Sequence, residues 1–192
     1  MEARELLNIL LTAQQLKDTT RHCYTAGGRH ESVAEHSWMA ALMAYFMRDE
    51  FPDVDMDKVI RMLLIHDMGE CFTGDIPVFE KTGKDEEKDA EMLERWIASL
   101  PEYYASEMRS LYAEMEERET KEAKLYKAID SLEAVIQHNS SDISTWLPNE
   151  YELQLTYADD RVQFSDYLKI LREAIRKDSI DKIQSADLTA GS

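Results

Sequence analysis

The adjacent pair His66-Asp67 is the part of this sequence whose residue types are best suited to chemistry. The pair ends a predicted helix that begins near Asp55 or Asp57 and includes an apolar run, residues 62–65. A helix that is apolar on most sides is normally buried. A buried carboxylate needs a cation or several hydrogen-bond donors beside it, and imidazole is the commonest metal ligand in proteins. His66 and Asp67 therefore indicate either a metal site or a His-Asp hydrogen bond that only orients the helix.

Two more residues favour the metal site over the plain hydrogen bond. His36 comes directly after Glu35 in the first turn of a predicted helix, where the helix dipole favours the neutral imidazole that a metal requires. Asp130 lies within an apolar-periodic helix, although an aspartate there is by itself more typical of a solvated surface. Two imidazoles and two carboxylates from three helices suit one divalent transition-metal ion, such as Mn, Fe, Co, Ni or Zn, with positions left for water and substrate.

The elements that must position these residues are predicted to be helices. Long helical periods and few breakers, six glycines and four prolines, predict a single all-α domain of about seven helices. Ser32 and Glu35 form a capping-box pattern at the start of the second helix. The polar segment 18–31 is predicted to be a loop, and the last helix to end near Arg176. We expect the domain to cover residues 1–176 and the polar tail, residues 177–192, to fray.

The charge of the chain limits its partners. Acidic residues outnumber basic ones by 39 to 22, which gives a formal net charge of −17. Such a surface repels nucleic-acid polymers and anionic membranes, so we expect neither as a partner, whereas a small anionic substrate could be received at a bound metal. The two cysteines, Cys23 and Cys71, form no disulfide pattern, and the sequence shows neither a membrane-spanning run nor a signal peptide. We therefore expect a cytoplasmic protein.

Four segments carry a resemblance to a known family: residues 31–36 (ESVAEH), 64–70 (LIHDMGE), 73–77 (TGDIP) and 122–130 (EAKLYKAID). They resemble the HD-domain phosphohydrolases, named after the adjacent His-Asp, and in particular the 5′-deoxynucleotidase branch. The resemblance implies an HD-domain helical bundle in which His36, His66, Asp67 and Asp130 bind the metal. No histidine lies between Asp67 and Asp130, so the additional histidines of dinuclear members are missing and we expect a single ion.

The resemblance also assigns roles to three other residues. It implies that Glu70 is a catalytic carboxylate beside the metal-bound water, and its helical spacing from the His-Asp pair independently places it on their face. It implies that Asp75 contacts the sugar hydroxyl, although a turn aspartate is an equally good local interpretation. Arg21 matches an arginine of the family's substrate site. His22 follows it where the family often has tryptophan, which leaves the base preference open.

These features predict a metal-dependent phosphomonoester hydrolase whose favoured substrate is a deoxynucleoside 5′-monophosphate. One alternative is an HD hydrolase of another small phosphorylated substrate, and a second is a metal-stabilised nucleotide sensor without turnover. We also expect a homodimer, because members of the family form dimers. The first helix and the row Met39, Met43 and Met47 also offer more apolar surface than a small monomer needs.

Overall fold

The computed structural model describes residues 1–76 and 82–190, which form nine α-helices and one small β-hairpin. The helices are α1 (Ala3–Ala13), α2 (Val33–Met47), α3 (Met56–Ile65), α4 (Glu70–Thr73), α5 (Gly83–Ala98), α6 (Glu102–Glu117), α7 (Lys121–Ser140), α8 (Glu150–Thr156) and α9 (Asp166–Ala190). The antiparallel strands are β1 (Thr20–Tyr24) and β2 (His30–Ser32). The predicted all-α class is confirmed. Pro77, which the sequence places in the loop after Asp75, lies outside the described residues.

Helix α7 is the central element, and it packs against α2, α3, α6 and α9. Its apolar side chains Ile129 and Leu132 are fully buried against Met62 and Leu63 of α3 and Leu168 of α9. Burial of each such side chain stabilises the fold by about 1.5–3 kcal/mol. This packing brings the start of α2, the end of α3 and the middle of α7 together. Among the described helices, none is both long and apolar enough to cross a membrane.

The predicted capping box at the start of α2 is confirmed. The side chain of Ser32 accepts a hydrogen bond from the backbone N–H of Glu35 at 3.3 Å. The carboxylate of Glu35 accepts one from the backbone N–H of Ser32 at 2.9 Å. Two N–H groups that the helix itself cannot satisfy are thereby paired. The box fixes where α2 begins, and it therefore places His36 in the first helical turn.

The segment predicted to be a loop, residues 18–31, contains most of the β-hairpin instead. Thr20 pairs with Ser32 and Tyr24 with His30, with an irregular register between them. The segment has no alternating apolar pattern, so its strand character comes from tertiary contacts rather than from propensity. One such contact is the hydrogen bond from the side-chain amide of Gln137 on α7 to the carbonyl of Tyr24 at 2.7 Å. The hairpin is thus attached to the central helix.

Two helix ends differ from the prediction. Helix α3 ends at Ile65, and residues 66–69 form a turn, so the His-Asp pair follows the helix instead of lying within it. Helix α9 continues to Ala190, so the predicted helix end at Arg176 and frayed segment are wrong for residues 177–190. The small Ser179 is fully buried and donates a hydrogen bond to Asn139 of α7 at 2.9 Å, which anchors the extension. The domain limit at residue 176 stays a prediction.

Candidate metal centre

The four side chains predicted as metal ligands lie together inside the bundle. Helix α2 carries His36, the turn after α3 carries His66 and Asp67, and α7 carries Asp130. Nε2 of His36 lies 3.1 Å from Oδ1 of Asp130 and 3.3 Å from Nε2 of His66. Nε2 of His66 lies 3.1 Å from Oδ2 of Asp67 and 3.5 Å from Oδ1 of Asp130. One nitrogen or oxygen atom of each residue therefore points to a shared space.

Both imidazole rings are held with Nε2 directed into this cluster. Nδ1 of His36 donates a hydrogen bond to the carboxylate of Glu133, and Nδ1 of His66 donates one to the carbonyl of Leu63 at 2.8 Å. Because a carboxylate and a carbonyl only accept, each Nδ1 carries a proton, and Nε2 of the neutral ring presents a lone pair. Two lone pairs that face each other across 3.3 Å repel unless a cation or an additional proton lies between or beside them.

The two aspartates supply negative charge to the cluster. Oδ2 of Asp130 accepts a hydrogen bond from Nζ of Lys127 at 2.7 Å, which leaves Oδ1 for the imidazoles. Burial opposes ionisation of Asp130, but Lys127 and the imidazoles outweigh it and hold its pKa well below the usual value. Burial of Asp67 is likewise outweighed by His66, which lowers the pKa of Asp67 to about 2. The cluster therefore attracts positive charge.

The donor atoms and their spacing fit one divalent transition-metal ion. Two atoms that each lie about 2.1 Å from one ion are about 3.0–3.8 Å apart when the angle between them is roughly 90–130°. The five separations that involve Nε2 of His36 or His66 run from 3.1 Å to the 3.8 Å between Nε2 of His36 and Oδ2 of Asp67. Imidazole nitrogen and carboxylate oxygen together suit Mn, Fe, Co, Ni or Zn. These side chains could therefore hold such an ion.

Glu133 is a functional candidate that the sequence interpretation missed. The sequence suggests a plain solvated carboxylate one turn after Asp130, but Glu133 is fully buried. Its Oε2 accepts the hydrogen bond from His36 and lies 3.4 Å from Nη1 of Arg21. Histidines that bind metals commonly donate their second N–H to a carboxylate, which fixes the tautomer. The three-residue spacing that puts Glu133 on the same helix face as Asp130 is the signal that could have identified it.

Arg21, predicted to bind substrate, lies on β1 and borders the cavity beside the cluster. Its Nη1 donates to Oε2 of Glu31 at 3.0 Å and is close to Oε2 of Glu133. These two buried carboxylates hold the guanidinium group in place. Within residues 1–76 and 82–190, neither Nη2 nor Nε of Arg21 donates a hydrogen bond. These N–H groups are therefore left for an anion in the cavity.

Glu70 also borders this cavity, but a turn brings it there rather than a continuous helix. Its backbone N–H donates to the carbonyl of Asp67 at 3.0 Å, and Glu70 is the first residue of α4. The argument from regular helical spacing was therefore wrong, although the placement beside Asp67 is as expected. Burial raises the pKa of Glu70 to about 9, with contributions from Asp67 and Asp75. Oε2 of Glu70 is buried and has no hydrogen-bond partner in the described part of the chain.

The cavity beside the cluster has a volume of about 240 Å³. Asp75 borders it from the loop after α4, and burial raises the pKa of this carboxyl group. His66 does not border this cavity, and its Nε2 lies 3.3 Å from Nε2 of His36. The other predicted site residues all border the cavity, namely Arg21, His36, Asp67, Glu70, Asp75 and Asp130. The structure thus places six of the seven residues that the sequence singled out around one cavity, and the seventh, His66, is next to His36.

A family model and two curated relatives all match this chain over most of its length. A family model described as HD domain matches residues 13–171 of the chain. The human protein named 5′-deoxynucleotidase HDDC2 is 34% identical over 139 residues, which cover 70% of this chain and 67% of the human protein. The Schizosaccharomyces pombe protein named 5′-deoxynucleotidase hdd1 is 26% identical over 171 residues, which cover 85% of this chain and 80% of the yeast protein.

A solved structure is similar over almost the whole chain. It is the crystal structure of a predicted metal-dependent phosphohydrolase from Magnetospirillum magnetotacticum, which is 27% identical to this chain. The two structures superpose with a TM-score of 0.77, and the match covers 93% of this chain and 95% of the bacterial one. The helical bundle described above is therefore shared with a protein of known structure.

Proposed function

Because the chain belongs to the HD-domain family, as its motifs predicted, we propose that it is a metal-dependent phosphohydrolase that releases phosphate from deoxynucleoside 5′-monophosphates. The observation that carries this proposal is the pair of Nε2 atoms, from His36 and His66, that face each other 3.3 Å apart. Two carboxylates lie beside this pair. The names of the human and yeast relatives support a nucleotide as the substrate.

The four-residue cluster is proposed as the site of one divalent ion. His36, His66, Asp67 and Asp130 would hold it, and Mn, Fe, Co, Ni and Zn all suit this donor set. Such an ion supplies a bound water of pKa about 7 and positive charge for a phosphoryl oxygen. The hydrogen bonds from the two Nδ1 atoms keep both Nε2 atoms ready for it before any ion binds. The protein therefore provides a preorganised site, and little reorganisation is needed on binding.

Glu70 is proposed as the group that takes the proton of the attacking water, once the positive charge of an ion beside Asp67 lowers the raised pKa of Glu70 and leaves its carboxylate ionised. It is not one of the four ligands, and its buried Oε2 has no hydrogen-bond partner in the described part of the chain. A buried acceptor without a partner costs free energy, which a water or substrate proton in the cavity would recover. Glu70 borders the same cavity as Asp67, so one bound water can contact both residues.

Arg21 and Asp75 are proposed to bind the two ends of the nucleotide's sugar phosphate. The Nη2 and Nε groups of Arg21 can donate to phosphate oxygens while Nη1 stays with Glu31. Asp75 borders the cavity from the loop after α4, where its carboxylate can accept a hydrogen bond from a sugar hydroxyl. The guanidinium charge also offsets the excess of acidic groups around the cavity, which would otherwise repel a phosphate.

Two other functions remain as alternatives, and each has a distinguishing observation. A different phosphorylated substrate would leave the metal centre and Glu70 unchanged but would need a differently shaped cavity. A nucleotide sensor without turnover would need no proton acceptor beside the metal water. The buried, unpartnered oxygen of Glu70 favours an enzyme over a sensor.

A phosphate-release screen separates these possibilities. Chelator-treated protein is incubated with each divalent metal and with deoxynucleoside and ribonucleoside 5′-monophosphates, 3′-monophosphates and sugar phosphates. We expect phosphate release that requires metal and is fastest with deoxynucleoside 5′-monophosphates. Release only from non-nucleotide substrates would favour the first alternative. Nucleotide binding without release under any metal would favour the sensor.

A cytoplasmic homodimer is the proposed working form. Exposed apolar side chains form a patch in which Leu10 of α1, Trp38 of α2 and Leu64 of α3 line one surface groove. The row of methionines predicted for this role is less exposed, and Met47 belongs to the core. A contiguous apolar patch of this kind is typical of a subunit interface. Free cysteines support a reducing compartment, and the net charge of −17 argues against a nucleic-acid partner.

A further inference from the structure

A second group of ligand-type side chains borders the same cavity as His36, Asp67 and Asp130 and is not used by the proposed reaction. It consists of His22 on β1, His138 near the end of α7 and Glu150 at the start of α8. Nε2 of His22 lies 2.9 Å from Oε1 of Glu150, and Nε2 of His138 lies 3.0 Å from the same oxygen. The three donor atoms all lie within 4.8 Å of one another. We call this group the His22–His138–Glu150 triad.

His138 is oriented in the same way as the imidazoles of the metal centre. The sequence suggests a surface position late in a helix, but His138 is buried. Its Nδ1 donates a hydrogen bond to the carbonyl of Ala134 at 2.9 Å, so Nδ1 carries the proton. Nε2 of the neutral ring then presents a lone pair to Glu150. A lone pair and a carboxylate oxygen at 3.0 Å repel unless a cation or an extra proton lies between or beside them.

Glu150 is held rigidly as a carboxylate. It is buried, and its Oε2 accepts a hydrogen bond from the backbone N–H of Leu147 at 2.6 Å. Burial opposes its ionisation, but the side chains of His138 and His22 and the backbone N–H of Leu147 outweigh this effect and keep the pKa of Glu150 below its usual value. The indole N–H of Trp146 donates to the carbonyl of His138 at 3.1 Å, which fixes the backbone behind the ring.

We propose that the His22–His138–Glu150 triad is a second transition-metal site, which binds a Zn²⁺ ion independently of the four-residue cluster. Two imidazole nitrogens and one carboxylate oxygen are a donor set that Zn²⁺ accepts, and three protein ligands leave a position for water. The separations of 2.9 and 3.0 Å are close to those within the four-residue cluster. This proposal adds a second ion to the single ion per chain that the sequence led us to expect at the four-residue cluster, which we call the HD centre.

The triad is accessible to an ion from solution. The side chain of His22 is 29% exposed, whereas His138 and Glu150 are buried behind it. All three residues border the cavity that also contains Asp67 and Glu70. A metal ion can therefore reach the triad through the cavity without unfolding of the chain.

Zinc stoichiometry tests the proposal directly. Chelator-treated full-length protein is titrated with Zn²⁺ by calorimetry, and bound zinc is measured after gel filtration. We expect two equivalents per chain for wild type and one for His22→Ala. His138→Gln should also bind one, which repeats the test on a second ligand. His30→Ala is the matched control, because His30 lies in the same hairpin but outside the triad, and it should bind two.

The outcomes separate this proposal from that for the HD centre. Circular dichroism checks that each variant is folded, and the partial exposure of His22 makes its replacement the milder change. Asp67→Ala should lose the equivalent that His22→Ala keeps. One equivalent in wild type that only Asp67→Ala removes would overturn the second site and leave the HD centre intact. Two equivalents in His22→Ala would overturn the second site as well.

Discussion

Replacement of Glu133 by glutamine tests whether the carboxylate behind His36 sets the metal affinity of the HD centre. Glu133→Gln keeps the side-chain volume but removes the negative charge that holds Nδ1 of His36 as a donor. Loss of such a supporting partner weakens metal binding roughly 10–100-fold, which is about 1.4–2.8 kcal/mol. The side chains of Glu133 and His36 are each 1% exposed, so water does not screen the pair. We therefore expect an effect at the upper end, about 100-fold.

The fold should survive this substitution. Arg21 keeps its contact with Glu31 at 3.0 Å, which is shorter than the 3.4 Å to Glu133. Thermal unfolding of the metal-free protein checks this point. Glu119→Gln is a matched control, because it makes the same charge change at an exposed position just before α7. The control should bind metal as the wild type does.

The affinity is measured by titration with Zn²⁺ in competition with a chromophoric chelator. A His22→Ala background leaves the HD centre as the site that is titrated. The expected result is a Kd that is about 100-fold higher for Glu133→Gln than for its parent. A Kd equal to that of the parent, in a folded protein, would refute the argument that Glu133 fixes the tautomer and orientation of His36.

Three further outcomes are expected. Glu70→Ala should keep its metal but lose about 10²–10⁴-fold in kcat, the size of a proton-transfer contribution. Steady-state kinetics with metal analysis measure this, and a wild-type kcat would exclude Glu70 as the proton acceptor. Asp75→Ala should raise KM with little change in kcat, because a contact to the sugar exists before the transition state. An equal fall in kcat and kcat/KM would contradict this role of Asp75 in substrate binding. Light scattering at micromolar concentration should give twice the 22.3 kDa of one chain, and a mass near 22.3 kDa would exclude the homodimer.

Local sequence signals predicted the parts of the structure that depend on neighbouring residues. The Ser32–Glu35 capping box fixed the start of α2 and so the position of His36. Asp130 was identified through its combination with the His-Asp pair, because its own position in a helix suggested a solvated surface. Its burial depends on the packing of α7 against α2 and α3. The all-α class followed from helical periods that extend over most of the chain.

The parts that were missed depend on contacts between distant residues. The ion pair between Arg21 and Glu133 spans 112 positions, and the contact between His22 and Glu150 spans 128. No local pattern specifies such a pair, because each residue alone has a satisfactory position in solvent. The β-hairpin was missed for a similar reason, since contacts with α7 rather than strand propensity stabilise it. The polar composition of residues 177–190 gave no sign that Ser179 is buried.

The most direct test of the account is anomalous diffraction from a crystal of the metal-loaded protein, recorded at the absorption edge of the metal. The account predicts an anomalous peak within about 2.0–2.3 Å of Nε2 of His36, Nε2 of His66 and one carboxylate oxygen each of Asp67 and Asp130. A fully loaded crystal with no peak among these four side chains would contradict the central claim. The pair of Nε2 atoms would then have to be explained by protonation alone.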